Sequence, residues 1–183
     1  MRTYPEGLPC WAPGAAAHLA SILTGFEIAI EWGGGQSSPW LVNKVRHLHT
    51  IEHSADWAEK IRNWVGNAYN FTLHSHPYLS DDYVDCVDEI DYAGLPTLWL
   101  IDGYRRIDCL ERVLSKATPD DIIVCDDALD YATGMKGAGR DIHSFEMPHP
   151  HAGLPCVSVK NTRDRNTVRK TAPATKETWI WVV

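Results

Sequence analysis

The chain alternates short apolar runs with amphipathic stretches. "FEIAIEW", "LHTIEH", "YNFTLHS", "TLWLID" and "DDIIVCDDA" are brief and rich in β-branched or aromatic residues, and each reads as a strand. Between them the period lengthens. "SPWLVNKVRH" sets Trp40, Leu41, Lys44 and Val45 at helical spacing, with Pro39 in the first turn and Ser37 or Ser38 as cap. "SADWAEKIRNWVG" predicts a helix capped by Ser54, with Trp57, Ile61, Trp64 and Val65 on one face and a stop at Gly66. In "DDYVDCVDEID" the stripe Tyr83, Val84, Val87 and Ile90 leaves six acids on a solvated outer face, and Asp81 and Asp82 suit the helix start. "RIDCLERVLSKA" turns Ile107, Leu110, Val113 and Leu114 inward. Ala15 to Thr24 has helical composition, stopped by Gly25, and "TWIWVV" closes the chain as an apolar strand that sends Trp179 and Trp181 to one face.

Strands alternating with helices predict an α/β domain built on a parallel sheet covered on both faces. Ligands of such sheets bind beyond the carboxyl ends of the strands. Those ends carry Glu31, Glu52, His74 or His76, Asp102, and Asp126 with Asp127. Five strands delivering ionisable groups to one edge make a site hypothesis. At each position the bland reading is a strand-end polar residue that caps the next turn.

Length and composition narrow the class. The chain has 183 residues, which favours one domain with a core of its own. The net charge of −7 argues against a general nucleic-acid binder. Residues 160–177 run the other way: Lys160, Arg163, Arg165, Arg169, Lys170 and Lys176 stand against two acids, as a solvated loop or a surface for an acidic partner. Five cysteines without paired spacing point to reduced thiols and a cytoplasmic setting. Pro5, Pro9 and Pro13 break up the first residues, so neither a signal peptide nor a membrane span is expected. Nine histidines invite a zinc site, but no Cys/His spacing supports one.

The glycine turn "EWGGGQSS" decides between ligands. Gly33, Gly35 and Ser38, with Glu52 downstream, approximate a dinucleotide fingerprint. Glu31 stands immediately before the turn, where like charges about 4 Å apart repel by about 4 kcal/mol at an effective dielectric of 20. A pyrophosphate is disfavoured there, and a ligand bearing an amine or sulfonium is welcome.

"EIAIEWGGGQSS", "LHTIEHSADW", "LHSHPY" and "LWLIDGYRRIDCLERVLSKATPDDIIVCDDA" together resemble, in order and spacing over about residues 26–130, the motifs of class I S-adenosylmethionine (SAM)-dependent methyltransferases. The resemblance implies a single Rossmann-like domain with a mostly parallel seven-stranded sheet and an antiparallel C-terminal strand. Residues 1–14 would form an irregular arm, 26–130 the motif-bearing core, and 131–183 a loop-rich substrate side with the closing strand. It implies SAM as cofactor. Glu31 would face the methionine ammonium through water, and Gly33, Gly34, Gly35 and Ser37 would line its amino-acid end. Glu52 would hold the ribose beside His53, and His76 would border the adenine. Asp102 would sit near the sulfonium as cofactor contact and catalytic group. Asp126 and Asp127, with Asp102, would form a Mg²⁺ site of the catechol type, or merely cap a turn, with Asp130 a further acid nearby. "TPDD" replaces the usual Pro-Gly-Gly turn ahead of the fifth strand.

His149, paired with His151 in "MPHPHAG", is a second catalytic candidate, as a proton relay or as an ordinary loop residue. Trp32 and Trp40 either pack or wall the sulfonium by cation–π contact. The expected activity is methyl transfer to an O, N or S nucleophile of a small molecule, with no membrane or nucleic-acid partner. The alternatives are a non-catalytic SAM or nucleoside sensor, or an RNA or protein methyltransferase using residues 160–177. The last strand could also pair with a second copy of the chain.

Overall fold

The computed structural model describes residues 8–12, 14–25, 27–92, 94–130, 132, 135, 141–148, 155–161, 166–171 and 175–183. After α1 (Ala15–Ile22) the chain alternates β1 (Ile28–Trp32), α2 (Ser37–Leu41), β2 (His47–Glu52), α3 (Ala55–Val65), β3 (Phe71–Ser75) and α4 (Asp82–Asp85). It continues with β4 (Thr97–Ile101), α5 (Arg106–Lys116) and β5 (Ile122–Cys125). Four more strands follow: β6 (His143–Pro148), β7 (Pro155–Asn161), β8 (Asn166–Thr171) and β9 (Thr175–Val182).

Seven strands form one sheet in the order β3-β2-β1-β4-β5-β9-β6. Strands β1 to β5 are mutually parallel, and β9 runs antiparallel between β5 and β6. The seven-stranded, mostly parallel sheet with an antiparallel C-terminal strand is therefore present. Strands β7 and β8 form a separate antiparallel hairpin. Period 2 divides the core between the two sheet faces. Ile28, Ile30, Trp32, Trp99, Ile101, Trp179 and Trp181 pack on one side, and Ala29, Leu48, Leu98, Leu100, Val124 and Ile180 on the other. Trp32 belongs to the packing half of its two readings. It is fully buried, lies against Trp99 and donates its indole N–H to the Tyr83 carbonyl at 2.8 Å.

Several local expectations give way to tertiary demands. The helix after the glycine turn is one short turn, Ser37–Leu41, instead of the ten-residue helix, and Gln36 is its N-cap. Ser37 and Ser38 do not cap it, because both hydroxyls bond to Glu31. In α3, Ala58 and Ile61 are buried while Trp57 and Trp64 stay exposed, edge to face with each other. The acid-rich stretch shortens to α4 followed by a 3₁₀ turn over Cys86–Glu89. The last third is less loop-like than its sequence reads. β6 and the hairpin arise there because β9 and a neighbouring strand supply the pairing that their mixed polar pattern does not announce. In "TPDD", Asp120 takes a left-handed φ of 79°, and Asp121 accepts from the Thr97 and Thr118 N–H groups and the Trp99 indole. No helix among the described residues is long and apolar enough to cross a membrane.

Candidate functional site

The carboxyl ends of β1, β2, β4 and β5 meet at one edge, and the glycine turn crosses it. Backbone bonds tie these ends together beyond the strands: Gly33 N–H to the Ile51 carbonyl, Asp102 N–H to Trp32, and Asp126 N–H to Ile101, all at 2.9–3.0 Å. Gly33 has φ +82°, and an added Cβ would lie 2.4 Å from the Gly103 Cα. At Gly34 a Cβ would strike Thr50 and Ile61 at 2.4 and 2.7 Å. At Gly35 the nearest atom is the Trp57 indole nitrogen at 3.9 Å. Gly33 and Gly34 therefore let the turn pack against the protein, and Gly35 is the glycine that faces open space.

Glu31 is fully buried under this turn. One carboxyl oxygen accepts from Ser37; the other accepts from Ser38 at 2.7 Å and Thr50 at 2.9 Å. Burial pushes its pKa up to about 7, against the pull of the three hydroxyls, and the nearby Glu52 charge adds to the rise. Glu31 thus braces β1, β2 and the start of α2 into one shape. Trp57 secures the turn from the other side by donating to the Gly34 carbonyl at 2.5 Å.

Glu52 is 2% exposed. Its Oε1 accepts from the His53 and Ser54 N–H groups at 2.8 Å and lies 2.9 Å from His53 Nδ1. The other oxygen, Oε2, takes no hydrogen bond from the described residues. Beside it the ends of β2, β3 and β4 bring three rings together. His53 and Tyr104 stand 4.4 Å apart edge to face, and Tyr78 lies 4.8 Å from Tyr104. His76 donates its N–H to the Glu52 carbonyl at 3.1 Å and so leads the chain into this group. The Tyr83 hydroxyl accepts from the Tyr104 N–H at 3.1 Å, which fixes the loop that carries Tyr104.

The ends of β4 and β5 hold a charged network. Asp102, Asp126 and Asp127 each place a carboxylate oxygen within 4.8 Å of the others. Arg106 donates to Asp102 Oδ1 at 3.2 Å, to Asp127 Oδ2 at 2.8 Å, and to the carbonyls of Asp102, Gly103 and Asp126. Lys176 lies 2.6 Å from Asp126 Oδ2 and 3.7 Å from Asp127 Oδ1. Thr178 donates to Asp126 Oδ1 at 2.6 Å. Burial opposes the Lys176 charge, but Asp126, Asp127 and Asp102 outweigh it and hold its pKa above the ordinary lysine value. Burial, followed by the Asp126 charge, drives the Asp102 carboxyl well above the usual range. The three acids suit a hard cation in type. Asp126, however, commits both oxygens to protein donors, and the Lys176 ammonium stands where a divalent ion would meet the same carboxylates. The N-terminal arm reaches this network: Cys10 donates to Gln36 at 3.3 Å, and the Ala12 N–H to Thr178 at 3.1 Å.

No family model matches the chain, and no curated protein does. Solved structures do. A precorrin-8W decarboxylase from Methanobacterium thermoautotrophicum superposes with TM-score 0.57 at 14% identity, over 100% of this chain and 96% of its own. The O-methyltransferase TomG from Streptomyces achromogenes, determined in complex with SAM, gives 0.53 at 19%, over 96% and 83%. An rRNA methylase from Streptococcus thermophilus gives 0.56 at 10%, over 96% and 99%. A precorrin-6Y C5,15-methyltransferase from Geobacter metallireducens is a further neighbour, with TM-score 0.56 at 14% identity over 91% of this chain and 86% of its own. At these identities the likeness is one of fold, and it extends over the whole chain.

Within that methyltransferase fold, Glu31, Gly33, Gly34, Gly35, Ser37, Glu52, His53, His76 and Asp102 lie around the glycine turn and the neighbouring strand ends, with Asp126 and Asp127 next to them. Ser37 turns its hydroxyl to Glu31. His149 and His151 lie outside the described residues, as does the Asp130 side chain. Sequence reasoning passed over Tyr78, Tyr104 and Lys176. The tyrosines directly follow "SHP" and "IDG", so position relative to a strand end was the available signal. Lys176 had none, because its partners are about fifty positions earlier in the chain.

Proposed function

We propose that this protein binds S-adenosylmethionine at the carboxyl edge of its sheet and transfers the methyl group to an O, N or S nucleophile of a small molecule. One observation carries the reading: Glu52 is a buried carboxylate with one oxygen fixed by two backbone N–H groups and the other open, the arrangement a ribose diol would complete. Gly35 leaves room for close backbone approach, and Tyr78 and Tyr104 offer faces for a flat base. SAM supplies an electrophilic methyl group. The protein aligns the nucleophile and accepts its proton, and Asp102 is the group for that task. Its Oδ1 is held by Arg106, its Oδ2 takes no bond from the described residues, and its raised pKa makes it a competent acceptor when ionised.

A macromolecular substrate would draw on the six cations of 160–177. Lys176, one of the six, is 8% exposed and engaged with Asp126, which weakens that alternative. Calorimetric titration with SAM and with S-adenosylhomocysteine, on wild type and Glu52→Ala, tests the proposal. Micromolar binding that the substitution removes supports it and justifies an acceptor screen with labelled SAM. If neither nucleoside binds the wild type, the reading falls.

A further inference from the structure

Away from the glycine turn, parallel pairing gathers histidines that the sequence scatters. His47 and His49 lie two apart on β2 and share a face. The register sets His49 opposite Thr72 and Ile51 opposite His74, so Thr72 and His74 of β3 join that face. His49 Nδ1 and His74 Nε2 approach to 3.1 Å, and the two rings lie nearly parallel with centroids 5.4 Å apart. The His47 ring is 4.6 Å from that of His49, and its Nε2 bonds to Thr72 Oγ1 at 2.9 Å.

A tetrahedral ion with metal–nitrogen bonds of about 2.0–2.1 Å separates its ligand nitrogens by about 3.3 Å. The hydrogen bond between His49 and His74, two half-buried rings, already holds two imidazole nitrogens at 3.1 Å, near that separation. We propose that His49 and His74 form a transition-metal site across β2 and β3, with His47 as third ligand once it leaves Thr72, and that the site takes Zn²⁺ or a neighbouring divalent ion of the imidazole-preferring class. Imidazole ligation favours Zn²⁺, Ni²⁺ and Cu²⁺ over Mg²⁺ and Ca²⁺. One of the two rings donates in this contact, so a bound ion would displace the shared proton to the donor ring's other nitrogen. The charged or titratable groups that act on His74 from outside the trio are His76, beyond the end of β3, and Glu89, whose negative charge favours a bound cation. The ion would clip the edge strand β3 to β2, the strand that ends in Glu52.

The test is titration of the full chain at pH 7.5 with ZnCl₂ by calorimetry and with CoCl₂ by visible absorption, for wild type, His74→Ala, His49→Ala and Asp127→Asn. The expected result is one ion per chain, a cobalt spectrum of nitrogen ligation, and affinity at least about tenfold weaker in both histidine variants. Asp127→Asn should bind as wild type, which separates this site from the aspartate network. Zinc should also raise the melting temperature of the wild type and not of His74→Ala. His74→Ala changes an edge strand and carries the test if His49→Ala does not fold. Absence of binding to the wild type, binding unchanged in His74→Ala, or binding abolished by Asp127→Asn would each overturn the proposal.

Discussion

Replacing Glu31 with glutamine should remove a pH dependence from the stability of the fold. In the folded chain the carboxyl titrates at about 7, and its ordinary value is 4.5. Below the lower value both states carry the proton, and Glu31 contributes no pH dependence. Between the two, the folded state keeps a proton that the unfolded state has lost. Stability therefore falls as pH rises, and above about 7 the full cost of burying the charge is present. At 1.36 kcal/mol per pH unit the interval amounts to roughly 3 kcal/mol. Glutamine has nearly the same shape and can still accept from Ser38 and Thr50, so the variant should fold. The assay is urea denaturation of both proteins every half unit from pH 4.5 to 8.5, read as the difference between their unfolding free energies. That difference should shift in favour of Glu31→Gln by roughly 3 kcal/mol across the range, with most of the change between pH 5 and 7. A flat difference would mean that the three hydroxyls hold Glu31 ionised throughout, and a shift of opposite sign would mean that they stabilise the charge more than burial opposes it.

Other perturbations separate roles that lie close together. Lys176→Met leaves Asp126 buried without its cation and should cost about 3–5 kcal/mol by thermal or urea denaturation. Gly33→Ala forces a Cβ to 2.4 Å from the Gly103 Cα at a left-handed φ and should lower the melting temperature sharply. Gly35→Ala, with its nearest neighbour at 3.9 Å, should keep stability and lose SAM affinity by calorimetry. Asp102→Asn should retain SAM binding and reduce turnover about 10²–10⁴-fold once an acceptor is found, and unchanged turnover would remove Asp102 from the chemistry.

The parts of this site that were legible in the sequence are those that local pattern controls. Glu31, Glu52, Asp102 and Asp126 each end an abruptly terminated apolar run, and a parallel sheet brings such ends to one edge whatever the loops do. The illegible parts depend on pairings between distant segments. Lys176 reads as one of six cations in a charged stretch, and only the antiparallel insertion of β9 between β5 and β6 brings it against Asp126. Helical spacing puts Trp57 on one face with Ile61, Trp64 and Val65. Trp57 stays 38% exposed because its indole N–H serves the Gly34 carbonyl, a demand of the turn that no period within α3 encodes. Ser37 and Ser38 had the right chemistry for caps, yet a buried carboxylate left without donors costs more than an uncapped single turn of helix. The same logic explains the histidines. Spacing along the chain gave no metal signature, because His49 and His74 become neighbours only through the β2–β3 register. Where a side chain's best partner lies across strands, register decides its role, and register is a property of the whole sheet.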